Sequence, residues 1–225
     1  MIGVVVPAHN EQALLGRCLA SVQQAARHPA LAGEAVIILV VLDACTDASA
    51  RIAQQAGVAT LSVEAGNVGL ARRVGAAHVI AQGARWLACT DADSCVAEDW
   101  LVEQLLHGAE VVCGTVQVQD WQPHDAALQQ AYQQRYQARD GHRHIHGANL
   151  GICAQAYQRV GGFPPIPAHE DVQLVQALAK AGAHIVWSAS GSVSTSARMD
   201  ARAHGGFADY LRQLAGTLAA NPLQG

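Results

Sequence analysis

The first 115 residues predict an α/β fold, a mostly parallel twisted sheet flanked by helices, on three observations. Short β-rich runs alternate with helical stretches, the pattern of successive βαβ units. These runs are almost continuously apolar, as strands are when helices cover both faces of their sheet. Acidic residues recur directly after them, at the edge where the carboxyl ends of parallel strands gather ligands. With 225 residues and 51% hydrophobic content the chain can bury one sizeable core, which predicts a single domain with a smaller second portion.

Strands are expected at 2–7, 35–42, 59–63, 85–90 and 110–118. Helices fall between them. Over 11–26, Leu14, Leu15, Cys18, Leu19 and Val22 form an apolar stripe of helical period. Residues 47–55 and 68–81 read the same way, and a helix over 97–106 would carry Glu98 and Asp99 in its first turn, where they suit the dipole. After 118 a glutamine-rich amphipathic helix is expected over 125–139, then a polar stretch over 140–146 and a short strand within GANLGIC. A helical turn ending at Gly161-Gly162, a proline-rich loop over 163–167 and a helix opening near Glu170 follow. A strand over 184–188, a serine-rich turn and a terminal helix from about Gly206 complete the chain.

The net charge of −4, with Lys180 as the single lysine, offers no basic face for a nucleic-acid backbone. The longest apolar run, 35–42, is far short of the roughly 20 residues that cross a bilayer. The opening MIGVVVPAHNE lacks the positive segment and cleavage site of a secretory leader, so a soluble, cytoplasmic protein is expected. Six cysteines without C-x-x-C spacing suit reduced thiols and do not form a zinc pattern.

Asp91-Ala92-Asp93 follows the apolar run Trp86-Leu87-Ala88-Cys89. Two carboxylates there can hold Mn2+ or Mg2+, whose other positions take water and phosphate oxygens; the alternative is a turn and a helix cap. Asn10 and Glu11 follow the first strand and Asp43 the second, at the same edge. Asp43 either accepts from a base or ribose or caps the next helix, a task that Asp47 or Thr46 fills equally well. In Gly66–Gly75, Arg72 or Arg73 can meet a phosphate or stack on a base, but the spacing is not G-x-G-x-x-G and no Walker lysine is present. Glu170-Asp171 offers either a general base or favourable charge in a first helical turn. His142, His144 and His146 form an H-x-H-x-H array, read as a transition-metal site or as solvated loop residues. Arg198 and His204 lie in a small-residue loop suited to closing over phosphates, with Arg198 on the leaving group and His204 as a third metal ligand, or to simple solvation.

Taken in order, VVVPAHNE, VVLDACTDAS, NVGLARRVGAA, TDADS and GANLGICAQAYQRVGGFPPIPAHEDVQL resemble the motifs of family 2 glycosyltransferases with the A-type glycosyltransferase fold. The resemblance implies a nucleotide-sugar site at Pro7, Ala8, Asn10, Glu11, Asp43, Arg72, Asp91, Ala92 and Arg198. It implies a Mn2+ or Mg2+ site at Asp93, with Asp91 and His204, and a catalytic base at Asp171 beside Glu170. Residues 1–118 would bind the donor, and 119–225 the acceptor and the base. Two departures stand out. Asp43-Ala44-Cys45 replaces the family's Asp-Gly-Ser, and the chain lacks the Q-x-x-R-W motif and membrane helices of processive synthases, which implies transfer of one sugar. The acceptor, whether saccharide, lipid-linked or small molecule, is left open, as is attachment at the inner membrane face. A sugar nucleotidyltransferase, a noncatalytic nucleotide-sugar-binding module and a histidine-based metal hydrolase are the alternatives.

Overall fold

The computed structural model describes residues 1–118, 120–122, 126–198 and 207–220. Within them one sheet is built from β1 (Ile2–Ala8), β2 (Val36–Asp43), β3 (Ala59–Val63), β4 (Trp86–Cys89), β5 (Cys95–Val96), β6 (Val111–Val118), β7 (Leu150–Cys153) and β8 (Ile185–Thr195). The strand order is β3-β2-β1-β4-β7-β6-β8-β5. Strands β1 to β4 run parallel, as do β6 and β8. β7 lies antiparallel between β4 and β6, and β5 antiparallel on β8. The carboxyl ends of β1, β2 and β4 therefore share one edge, as the sequence predicts.

The helices are α1 (Leu15–Ala25), α2 (Ser49–Gln55), α3 (Val68–Ala81), α4 (Trp100–Leu106), α5 (Ala126–Arg135), α6 (Ala154–Arg159), α7 (Glu170–Lys180) and α8 (Phe207–Ala220), with a 3-10 turn at Pro29–Leu31. Successive side chains of a strand point to opposite faces, so the apolar run of β1 feeds two cores. Val4 and Val6 join Leu15, Leu19, Val22, Trp100 and Leu101 on one side. Val5 joins Val79, Leu174, Val175 and Leu178 on the other. A smaller cluster of Trp121, Leu128, Tyr132, Leu211 and Leu214 joins α5 to α8. No helix among the described residues is long and apolar enough to cross a membrane.

Four boundaries differ from expectation by three residues or more. α1 begins at Leu15 because residues 11–14 form a turn, with the amides of Leu14 and Leu15 both bonding to Glu11 O. α4 begins at Trp100, so Glu98 and Asp99 precede it and Glu103 is its first-turn acid; the chain before it forms β5, whose Cys95 and Val96 pair with Ser194 and Val193. α5 ends at Arg135, short of residue 139. β8 continues through the serine-rich stretch expected to turn. Its register with β6 jumps from Gly114↔Ser188 to Val116↔Val193, and the surplus residues bulge around Gly191 at φ +61°.

Candidate active site

A cavity of about 760 Å³ opens at the carboxyl edge of β1, β2 and β4. Pro7, Ala8, Glu11, Asp43, Arg72, Asp91, Ala92, Asp93, Glu170, Asp171 and Arg198 all line it. Residues scattered over almost the whole sequence are thus brought to one hollow by the strand order.

Asp43 ends β2 and is 4% exposed. Its Oδ1 accepts from the amides of Ala65 and Gly66, both at 2.8 Å, and its Oδ2 from Asn67 at 2.7 Å. The carboxylate folds the chain across the strand end and into α3, where the Asn67 side chain caps Leu70 N at 2.9 Å. The capping task at α2 falls to Asp47, whose Oδ1 accepts from Ser49 N at 2.9 Å. Asn10, expected among the donor-binding residues, does not line the cavity. It adopts φ +54°, and its Oδ1 accepts from the amides of Thr46 at 2.8 Å and Asp47 at 3.3 Å, so the left-handed turn that asparagine tolerates locks β1 to the chain after β2.

Arg72 is 4% exposed and forms ion pairs with Glu170 and Asp91. Burial opposes its charge, but Asp91, Glu170 and Asp171 outweigh burial and push its pKa up. Burial raises the pKa of Glu170 in turn, against the pull of Arg72. The guanidinium also lies 5.9 Å from the Phe163 ring centroid. Arg72 therefore bridges α3, the chain after β4 and α7 at the wall of the cavity. Glu170 is its partner and is 3% exposed. Arg73 donates to Phe163 O at 3.1 Å. Gly69 serves the same region by close approach: a Cβ there would lie 2.4 Å from Pro164 O.

Asp171 stands in the first turn of α7. Its Oδ2 accepts from Gly147 N at 2.6 Å. A Cβ at position 147 would run into the Arg72 guanidinium and push it off its ion pairs. His169, the residue before α7, adopts φ +61° and lines the cavity, a strained position at a candidate site.

Asp93, Glu11 and Arg198 form the opposite wall. Arg198 pairs with both oxygens of Glu11 and reaches Asp93 Oδ2 at 3.2 Å. Burial and the charges of Asp91 and Glu11 raise the Asp93 carboxyl to about 6, against the pull of Arg198. His204, the expected third metal ligand, lies outside the described residues. Among the described residues no group of three or more His, Cys, Asp or Glu is placed to hold a metal ion. The three histidines His142, His144 and His146 lie in irregular chain and stack ring on ring, with centroids 5.5 and 6.0 Å apart, instead of pointing nitrogens at one centre.

Those rings extend into an aromatic wall. Tyr136 stacks on His144 at 4.2 Å and on Tyr132 at 5.2 Å. Tyr132, Tyr136, His144, His146 and Tyr210 line the cavity. His169 lies within the quoted motif segment without a role of its own there, and Tyr210 carries no motif signal. Asn149 is hidden within GANLGIC: 2% exposed, it accepts from Trp100 Nε1 at 2.8 Å and donates to Thr115 O at 2.9 Å and Gly191 O at 3.1 Å, knitting α4, β6 and β8 behind the site.

Residues 3–160 match the sequence model of the family described as glycosyl transferase family 2. The chain belongs to that family. No curated protein matches this family 2 chain. Among solved structures it resembles TarS of S. aureus, residues 1–349, in complex with UDP-GlcNAc, with TM-score 0.68 and 13% identity. That match covers 97% of this chain and 65% of TarS 1–349, so the family 2 chain spans less than two thirds of that structure. The mannosyltransferase PcManGT from Pyrobaculum calidifontis, in complex with GDP-Man and Mn2+, matches with TM-score 0.63 and 16% identity over 100% of this chain and 75% of its own. Glucosyl-3-phosphoglycerate synthase from Mycobacterium tuberculosis, with Mn2+, UDP and glucosyl-3-phosphoglycerate, matches with TM-score 0.62 and 18% identity over 98% and 79%. The shared A-type glycosyltransferase fold is what these likenesses carry.

Proposed function

We propose that the chain transfers one sugar from a nucleotide-diphosphate sugar to an acceptor hydroxyl, with inversion at the anomeric carbon. The observation that carries this reading is that Asp171 and the Asp91–Asp93 pair line one cavity. A base and a diphosphate-binding edge must share a hollow for in-line displacement to occur between them. Asp171, steadied by Gly147 N, takes the proton of the acceptor hydroxyl as that oxygen attacks. Pro7, Ala8 and Ala92 wall the donor, and Asp43 holds the loop the nucleoside lies against. Arg198 faces the departing diphosphate, and residues 1–118 and 119–225 divide the donor and acceptor work.

The donor set fits a hard divalent ion. Asp93 lines the cavity beside Asp91, and burial, with the charges of Asp91 and Glu11, pushes its carboxyl up to about 6, so a cation there would favour its ionised form. Arg198 does so in part at 3.2 Å. Asp93 and Asp91 would hold Mn2+ or Mg2+, with water and phosphate oxygens completing the shell. When bound, the ion supplies charge stabilisation at the diphosphate. Hexosyl donors and a cytoplasmic setting, free or at the inner membrane face, complete the proposal.

A thermal-shift screen of UDP-, GDP- and dTDP-sugars with Mn2+ identifies the base, and calorimetry then tests the metal edge. Asp93→Ala is expected to weaken Mn2+-dependent binding of the preferred nucleotide diphosphate by about tenfold or more. An unchanged titration refutes the assigned edge.

A further inference from the structure

The H-x-H-x-H array is left unused by the mechanism above, yet one of its members borders the base. Tyr136 Oη has two hydrogen-bond partners: Val116 N–H donates to it at 2.9 Å, and His146 Nε2 lies 3.0 Å away. Burial pushes this phenol up to about 12, so it keeps its single proton. The oxygen receives Val116 N–H, and no other acceptor for the phenolic proton is present among the described residues. With that proton directed at Nε2, the ring nitrogen is the acceptor. Burial, with His144 and His142 beside it, lowers the His146 imidazole to about 4, so the ring is neutral and its one proton sits on Nδ1.

Nδ1 of His146 has no hydrogen-bond partner among the described residues, and the residue lines the cavity. Its carbonyl accepts from Asn149 N at 2.9 Å, and the next amide, that of Gly147, grips Asp171 Oδ2 at 2.6 Å. The ring is thus held by Tyr136, and its backbone belongs to a frame that also orients the base. We infer that His146 is a positioning residue: Tyr136 fixes its imidazole as the Nδ1–H tautomer, and that N–H donates to an oxygen of the acceptor beside Asp171. No proton leaves His146. The acceptor O–H gives its proton to Asp171 while the neutral N–H orients the molecule. The tautomer rests on the hydrogen-bond network and the neutral ring, whereas its use on an acceptor rests on the transferase reading.

The test begins with two-bond 1H–15N correlation spectra of the histidine-labelled wild type, with His146 assigned by its loss in His146→Asn. A protonated Nδ1 is expected, and a protonated Nε2 overturns the inference. Tyr136→Phe keeps the ring stack and is expected to release the ring toward Nε2–H; an unchanged pattern overturns the role of Tyr136. Kinetics use hydrolysis of UDP-glucose with Mn2+, in which water stands for the acceptor. His146→Gln is expected to lower kcat about tenfold, the effect of one lost hydrogen bond, with donor KM within about twofold. His146→Asn, whose amide can reach the Nδ1 position, is expected to lose less. Equal losses in both variants, or a loss confined to KM, overturn the inference. A wild type without turnover of UDP-, GDP- or dTDP-glucose counts against the transferase reading, and the tautomer spectra still decide the inference.

Discussion

Ala44 adopts φ +48° directly after Asp43, at the position where family 2 motifs carry glycine. The left-handed region costs a residue with a Cβ on the order of 1 kcal/mol, so the glycine of the motif is a backbone requirement that this chain meets at a cost. Ala44→Gly is expected to stabilise the fold by about 0.5–1 kcal/mol, read as a rise in the urea midpoint. Asp43→Ala is expected to do the reverse, by about 2–4 kcal/mol, because three backbone amides lose a charged acceptor. Glu34 gives a pH signature. Its bidentate bond to Arg85, at 2.7 and 2.6 Å, lowers its pKa from 4.5 to about 2. A depressed carboxyl contributes stability that is present above pH 4.5 and is lost as pH falls toward about 2. Arg85 is half-exposed, so Glu34→Gln is expected to cost only about 0.5–1 kcal/mol at pH 7, with the gap to wild type closing at acid pH in the same unfolding assay. At this scale the sequence was legible where one residue has one job. Asp93 and Asp171 reach the predicted hollow. Asn10 lies outside the cavity lining because its left-handed backbone decides its partners, and that conformation leaves no trace in spacing.

Among the elements, α3, β4 and α7 are joined by one buried cation. Arg72→Met is expected to destabilise by about 3–5 kcal/mol, since Glu170 and Asp91 lose their shared partner, and a guanidinium unfolding curve reads the loss. Around Arg72 the sequence shows a glycine-rich helix start with arginines but not which carboxylates they pair with. The alternation of apolar runs gave β1 to β4 and their helices, because strands buried on both faces are nearly uniform in character. β8 runs longer than its apolar stretch for the opposite reason. Its small polar residues resemble a turn, and only pairing with β6 and β5 keeps them extended. β5, of two residues, has no periodicity to detect.

For the whole molecule, parallel topology turns motifs far apart in sequence into neighbours, and the antiparallel β7 delivers Gly147 and the segment before α7 to the far side of the same cavity. Order of motifs was enough to foresee this assembly; the aromatic wall was not foreseen in detail, because stacking of Tyr136 on His144 depends on how irregular chain folds. The account stands on Asp171 acting on the acceptor and not on the donor. Its most direct test is Asp171→Asn, with calorimetric binding of the nucleotide diphosphate and Mn2+ measured beside nucleotide release from the donor sugar. Binding within about twofold of wild type with turnover reduced about 100-fold or more is the expected result; full turnover in that variant would contradict the account.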